Sequence, residues 1–419
     1  VRKGKTFLDI EPQGSQELNV NVAGLQPKAG TEYFVNFWVT TTEPEILIPV
    51  GHEIASEQFR LPIEPLAVAE HKASGKTNVT TEGDEVKVSS SKMQFVFNKK
   101  SGLVTSYKVN GTEYFTEGFG IQPNFWRAPN DNDYGNGQPK REQIWKQSSK
   151  NFKVADVITE AEGNNTVLTA NYLLAAGNLY IVKYTIYPDG VVHADITFTS
   201  TDMEEGKTEV SEATLMATFS PGQQEARRAA SRLVVPRIGV RFRLPADMNQ
   251  VEYFGRGPGE NYIDRQAASF VDLYQTTADA MYTNNYVRPQ ENGHRTDTRW
   301  VELTRKNGKG LKIVADQCIG FNALRNSVED FDSEEAVGKL RQWNNFTPEE
   351  IANRSEEKAK DVLRHMTHIN DITPRNFVEV CVDMKQQGVA GFNSWGDRPL
   401  AEHTMPANQE YKWGFTLIP

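Results

Sequence analysis

Apolar and polar residues alternate through the N-terminal segment. Leu18, Val20 and Val22 form one stripe and Tyr33, Val35, Phe37 and Val39 another, with Gly24 and Gly30 between them. A period of two marks a half-buried strand, and glycines between such runs mark turns. About four strands are expected before the Pro62-Ile63-Glu64-Pro65 break, where a complete immunoglobulin-like sandwich needs about seven. Residues 1–66 are therefore read as part of a small β-sandwich, with the chain beginning inside a domain.

Residues 66–82, rich in Lys, Ser, Gly and Thr, lack periodicity and read as a linker or entry strand. Strand patterns then recur at Val86-Val88, Met93-Phe97, Leu103-Val109 closed by Asn110-Gly111, Tyr180-Ile186 closed by Asp189-Gly190, and Val192-Phe198. Asn-Gly and Asp-Gly between apolar runs are hairpin signals. Helix is the minority. Its clearest signal is Thr347-Pro348-Glu349-Glu350, where Thr caps, Pro occupies the first turn and Glu350 completes a capping box. No repeat of solenoid or propeller period is visible, so 67–419 reads as one large antiparallel β-sandwich. The expected class is all-β.

Composition narrows the function classes. The chain has 419 residues, more than one ordinary compact domain holds, and 38% are hydrophobic, with 7 Trp, 14 Tyr and 21 Phe to build cores. A soluble globular protein is expected, because no apolar run reaches the ~18 residues of a membrane span. A net charge of -9, with acids and bases interspersed, disfavours nucleic acid, which attracts concentrated Lys and Arg. The two cysteines, Cys318 and Cys381, lack zinc-ligand spacing and sit in apolar strand contexts. Buried thiols are expected there, with a disulfide as the alternative.

Three clusters combine glycine, proline, aromatic and ionisable residues more densely than strands require. The first is Phe125-Trp126-Arg127-Ala128-Pro129-Asn130-Asp131-Asn132-Asp133-Tyr134-Gly135. Its amides and carboxylates read as a polar loop bonding its own turns, with Asp131 and Asp133 the ligands if it holds a metal. The second runs from Phe254 through Gly255-Arg256-Gly257-Pro258-Gly259-Glu260-Asn261-Tyr262-Ile263-Asp264-Arg265 and resumes at Tyr286-Val287-Arg288-Pro289-Gln290-Glu291-Asn292-Gly293-His294-Arg295. No Walker spacing follows its glycines, and its prolines oppose the helix a phosphate site needs, which excludes a nucleotide loop. Arg256, Glu260, Asn261, Asp264, Arg288, Glu291 and Arg295 read as ties between loops. The third is Gly388-Val389-Ala390-Gly391-Phe392-Asn393-Ser394-Trp395-Gly396. An indole on a glycine-flanked turn can stack on the apolar face of a pyranose or pack within its own domain.

In this order, these three motifs resemble the last domain of LacZ-type β-galactosidases, glycoside hydrolase family 2, over residues 67–419. The stretch before it, with Gly51-His52-Glu53-Ile54-Ala55 and Gln58, resembles the later part of the immunoglobulin-like module that precedes that domain. The resemblance implies a galactose mutarotase-like β-supersandwich and a larger parent hydrolysing β-galactosides. In the family the catalytic glutamates and magnesium-binding groups belong to a barrel preceding this segment, so no catalytic residue is expected in this chain. What carries over is a loop Trp that reaches the sugar pocket, by motif position Trp395, with Asn393 and Ser394 as weaker substrate-side candidates. The family usually has an Asp near Phe392, so the sequence departs from the family's turn there, which bears on the loop's conformation more than on the Trp.

Two other function classes compete. One is a stand-alone carbohydrate-binding module, the other a mutarotase-like enzyme. His193, His294, His365, His368 and His403 do not sit in a mutarotase-like motif, and fold alone is weak evidence of activity. No bound cofactor is expected for this chain. The expected partners are a β-galactoside and, for the parent, further copies of itself, in bacterial cytoplasm or periplasm.

Overall fold

The computed structural model describes residues 2–199, 233–332, 368–393 and 396–419. The chain divides into two units, Val1–His71 and Lys72–Pro419.

In the first unit, strands Phe34–Thr40 and Glu53–Arg60 pair antiparallel, with a bulge between Val39 and Thr40. Phe37 and Phe59 meet edge to face at 5.9 Å, and the Gln58 amide donates to Asn36 Oδ1 at 2.9 Å. Two strands stand here where about four were expected. Leu18, Val20 and Val22 lie outside any strand and are exposed, which corrects that stripe. Alternation specifies which face a strand would bury, but the ladder also needs a partner strand, and among the described residues none pairs with these.

The second unit holds a five-stranded antiparallel meander, Asn78–Glu82, Glu85–Ser89, Met93–Asn98, Leu103–Val109 and Thr112–Glu113. Asn110 and Gly111 both have positive φ, the geometry a two-residue hairpin turn demands. Asn78–Glu82 is an entry strand, the second of the two readings of residues 66–82. It is an edge strand exposed at every position, so backbone pairing forms it without an apolar pattern.

Among the described residues the larger sheet has 12 strands. Along its main path they run Phe270–Thr277, Gln250–Gly257, Arg295–Thr304, Gly310–Leu324, Tyr411–Ile418, Val192–Phe198, Leu179–Ile186, Asn165–Leu173 and Lys153–Glu162. Phe377–Gln386, Arg237–Pro245 and Gln122–Asn124 branch from it, and every pairing is antiparallel. Gly310–Leu324 pairs with Tyr411–Ile418 through Ala315 and with Phe377–Gln386 from Gly320. Between those partners residues 316–318 are exposed. Cys318 is therefore exposed, against the expectation of burial, while Cys381 is buried as expected.

Aromatic residues join the two sheets. Phe95 of the meander packs on Tyr184 of the larger sheet at 5.4 Å, and Tyr180 of that same larger sheet meets Phe125, just past Gln122–Asn124, at 5.0 Å. Buried Tyr107, Tyr172 and Tyr180 donate their hydroxyls to the carbonyls of Gly190, Gly102 and Gly239. Each phenol thus keeps a partner where an unbonded one would be costly. Among the described residues no helix is long and apolar enough to cross a membrane. The helix expected at 347–350 lies outside the described residues.

Candidate functional site

The first motif is more ordered than a polar loop. Phe125 and Trp126 are buried, and after Ala128-Pro129 the chain enters short helices at Asp131–Gly135, Gln138–Arg141 and Gln143–Lys150. The expectation of a loop is corrected here. Asn130 Oδ1 accepts the Asp133 N–H at 2.8 Å and Asp133 Oδ2 accepts the Asn130 N–H at 3.1 Å, a reciprocal capping box. The sequence signal was the Asn-x-x-Asp spacing, in which the shorter acid replaces the usual Glu.

Asp133 also receives Arg127, whose Nε donates to Oδ2 at 3.2 Å and Nη2 to Oδ1 at 2.9 Å. Both side chains are buried, at 0% and 2% exposure. Burial disfavours the Arg127 charge, but Asp133 and its hydrogen bonds outweigh that and hold the guanidinium protonated. The remaining Arg127 donors reach the carbonyls of Gln387 at 2.7 Å and Gly388 at 3.0 Å. One side chain thus ties the first motif to the start of the third.

Asp264, from the second motif, ties down the same stretch by accepting the backbone N–H groups of Val389 at 3.0 Å and Ala390 at 2.8 Å. The Asn132 amide donates to the Val389 carbonyl at 3.0 Å. The approach is close enough to require glycine. A Cβ on Gly388 would lie 2.4 Å from Asp264 Oδ2, and one on Gly396 would lie 2.4 Å from the Gly135 backbone. Asn393 donates to Asp397 Oδ2 at 2.8 Å, and Phe392 is exposed. Ser394 and Trp395 lie outside the described residues, but residues 387–390 before them are hydrogen-bonded to the first two motifs and Gly396 after them packs against Gly135.

The other second-motif residues also bind protein groups. Arg288 pairs with Asp131 at 2.6 Å and stacks on Tyr134, 3.9 Å from the ring centre. Asp131 and Asp133 therefore each carry a guanidinium, which any cation bound there would have to displace. Glu260 accepts from Arg265, Tyr286 and the Gly293 N–H. Asn261 donates to the Arg256 and Gly259 carbonyls and accepts the Thr296 N–H. Arg256 binds Asp297 and the Ser269 carbonyl, and Arg295 donates to the Tyr253 hydroxyl.

Beneath these loops lies a buried charged network of which the sequence singled out Glu291 but not Arg237 or Asp383. Arg237, on Arg237–Pro245, donates to Glu291 at 2.8 Å and stands 3.2 Å from Asp383 on Phe377–Gln386. Glu291 also accepts from Asn322 and Gln386. Alternation marks both strands, but no spacing shows that a charged residue points inward. Burial pushes the His294 imidazole well below its usual range, and the nearby arginines add to the shift, so it is neutral. Burial raises Asp383 to about 7, Arg237 opposing the shift and Glu291 adding to it.

The raised Asp383 value has a defined sign in stability. Folded Asp383 keeps its proton until about pH 7, whereas in the unfolded chain it releases it near pH ~4. In that window the folded state binds more protons, so this group's contribution to stability falls as pH rises. Urea unfolding between pH 4.5 and 7.5 is expected to show Asp383→Asn gaining on wild type, on the order of 1 kcal/mol per pH unit, because contributions common to both proteins cancel. A wild-type-minus-variant difference that stays flat would show Asp383 is not the titrating group.

Comparison with known proteins places the motifs in a wider set. A family model described as beta galactosidase small chain matches residues 89–417, and one described as beta-galactosidase, domain 4, matches residues 1–62. A beta-galactosidase of Priestia megaterium is 27% identical over 422 residues, covering 100% of this chain and 35% of its own length. One of Vibrio cholerae is 25% identical over 430 residues, covering 100% and 35%. The chain spans about a third of the length of these curated relatives. A solved galactose 1-epimerase from Lactobacillus acidophilus superposes with a TM-score of 0.35 at 7% identity, over 82% of this chain and 98% of its own.

Proposed function

The chain belongs to the β-galactosidase small-chain family, and from that membership we propose that it works as the C-terminal part of an enzyme that hydrolyses terminal β-D-galactosides with retention. Retaining hydrolysis uses two carboxyl groups about 5 Å apart, one protonating the leaving oxygen and one forming the glycosyl-enzyme. Both are assigned to a catalytic barrel elsewhere in the parent. This chain contributes a sugar-facing Trp395, with Asn393 and Ser394 beside it, and the scaffold that holds their turn.

One observation supports that role above the others. Arg127, Asn132 and Asp264, from two distant parts of the sequence, converge on the backbone of 387–390. A stacking platform must be held by rigid neighbours, since a loosely held ring loses orientation on binding. The Asp131 and Asp133 carboxylates serve this framework, and the magnesium of the parent is assigned to the barrel. The parent is proposed to assemble from several copies.

Size and activity together test this reading. The natural gene product carrying this segment is expected, on blots with an antibody to the chain, to be far larger than the chain, and purified 419-residue chain is expected to release no chromophore from an aryl β-galactoside. A natural product of the chain's own size would remove the barrel, and hydrolysis with it.

A further inference from the structure

Away from the loop cluster, on the large sheet, the sequence His193-Ala194-Asp195 puts His193 and Asp195 on one outward face of Val192–Phe198. The neighbouring strand Tyr411–Ile418 places Thr416 opposite His193 and Gly414 opposite Asp195. Gly414 has no side chain, and Asp316 fills the space, since a Cβ on Gly414 would lie 2.3 Å from Asp316 Oδ2. Asp316 can lean there because it sits in the exposed stretch where Gly310–Leu324 changes partners. Three strands thereby bring one imidazole and two carboxylates together.

We propose that His193, Asp195 and Asp316 form a binding site for a divalent transition ion of the zinc type, with water completing the coordination. His193 Nε2 lies 3.3 Å from Asp195 Oδ1 and 3.5 Å from Asp316 Oδ2. Zinc binds nitrogen and oxygen at ~2.0–2.2 Å in a tetrahedron, whose edges are then ~3.3–3.6 Å. The one ligand atom offered by each residue lies within 4.8 Å of the others, so only Asp195 and Asp316 need draw together. The imidazole is already turned for coordination, with His193 Nδ1 3.0 Å from Thr416 Oγ1. A ring whose Nδ1–H donates to that hydroxyl turns its Nε2 lone pair toward two carboxylates, an arrangement that calls for a cation between them.

A proton on Nε2 is the competitor, giving a surface His–Asp ion pair in place of a metal site. Lys183, opposite Asp195 on Leu179–Ile186, places a positive charge beside the cluster and weakens either cation. The ligand set of one imidazole and two carboxylates favours zinc over magnesium, which takes oxygen donors and keeps most of its water. The site makes no use of the proposed sugar role and stands or falls apart from it.

Zinc chloride titrated calorimetrically into the chelator-stripped, untagged chain at neutral pH is the experiment, with His193→Ala and Asp316→Asn in parallel. Wild type is expected to bind a saturating equivalent, and each variant to weaken that binding by more than ~10-fold, since even outer partners of a ligand matter by that factor. Zinc is also expected to raise the unfolding temperature of wild type and not of His193→Ala, which has its own folded baseline. No saturable zinc binding in wild type, or isotherms of both variants superimposable on it, overturns the site.

Discussion

Replacing Arg127 by alanine is expected to destabilise the second unit by about 3–5 kcal/mol, because it leaves the buried Asp133 carboxylate without its cation. The loss is not confined to one ion pair. The guanidinium donates to both Asp133 oxygens and to the Gln387 and Gly388 carbonyls, and these acceptors would be stranded away from water. Arg127→Lys is expected to recover little, since an ammonium cannot span both Asp133 oxygens and two carbonyls in one plane. The double replacement Arg127→Met with Asp133→Leu, which removes both charges, is expected to recover only the part due to the stranded carboxylate, since the Gln387 and Gly388 carbonyls stay without a donor and the Asn130 N–H loses its acceptor. Chemical unfolding followed by tryptophan fluorescence measures all of these. If Arg127→Ala costs less than ~1 kcal/mol, as an exposed pair would, Arg127 is not a clamp on the third motif.

The parts of the fold legible in the sequence were those where a local pattern and a local turn coincide. Leu103–Val109 closed by Asn110-Gly111 is one case, because its alternation and its positive-φ turn residues fix the same hairpin. Asn78–Glu82 was legible only as one of two readings, linker or entry strand, because an edge strand exposed at every position needs only a backbone partner. Leu18, Val20 and Val22 failed in the opposite way, with a clear stripe and no partner strand. At the loop cluster, Gly388 and Gly396 drew notice only as flanks of a Trp turn, and what they permit is close packing against Asp264 and Gly135. The inward charges Arg127, Arg237 and Asp383 were illegible for a related reason. Their partners lie far off in the sequence, as Glu291, Asp383 and Gln387 do, or on a short helix where the sequence reads as a loop, as Asp133 does.

In the full-length parent, Trp395→Ala is expected to lower kcat/KM for a β-galactoside by roughly 10- to 100-fold, the size of losing the burial of one large aromatic face. Stacking is made with ground state and transition state alike, so most of the loss is expected in KM, with kcat changed much less. Trp395→Phe is expected to keep part of the affinity, since a smaller ring still covers the apolar face of the sugar. The anchors of the turn give a second, separable route to the same defect. Asp264→Asn keeps the side chain's size but weakens its hold on the Val389 and Ala390 N–H groups, so it should raise KM through loss of position without removing the ring. Adding Asp264→Asn to Trp395→Ala should then do little more, because a loosened turn has no ring left to misplace. Unchanged KM in Trp395→Ala would remove the sugar-platform role. Full additivity in the double variant would leave the Trp its role and detach Asp264 from it.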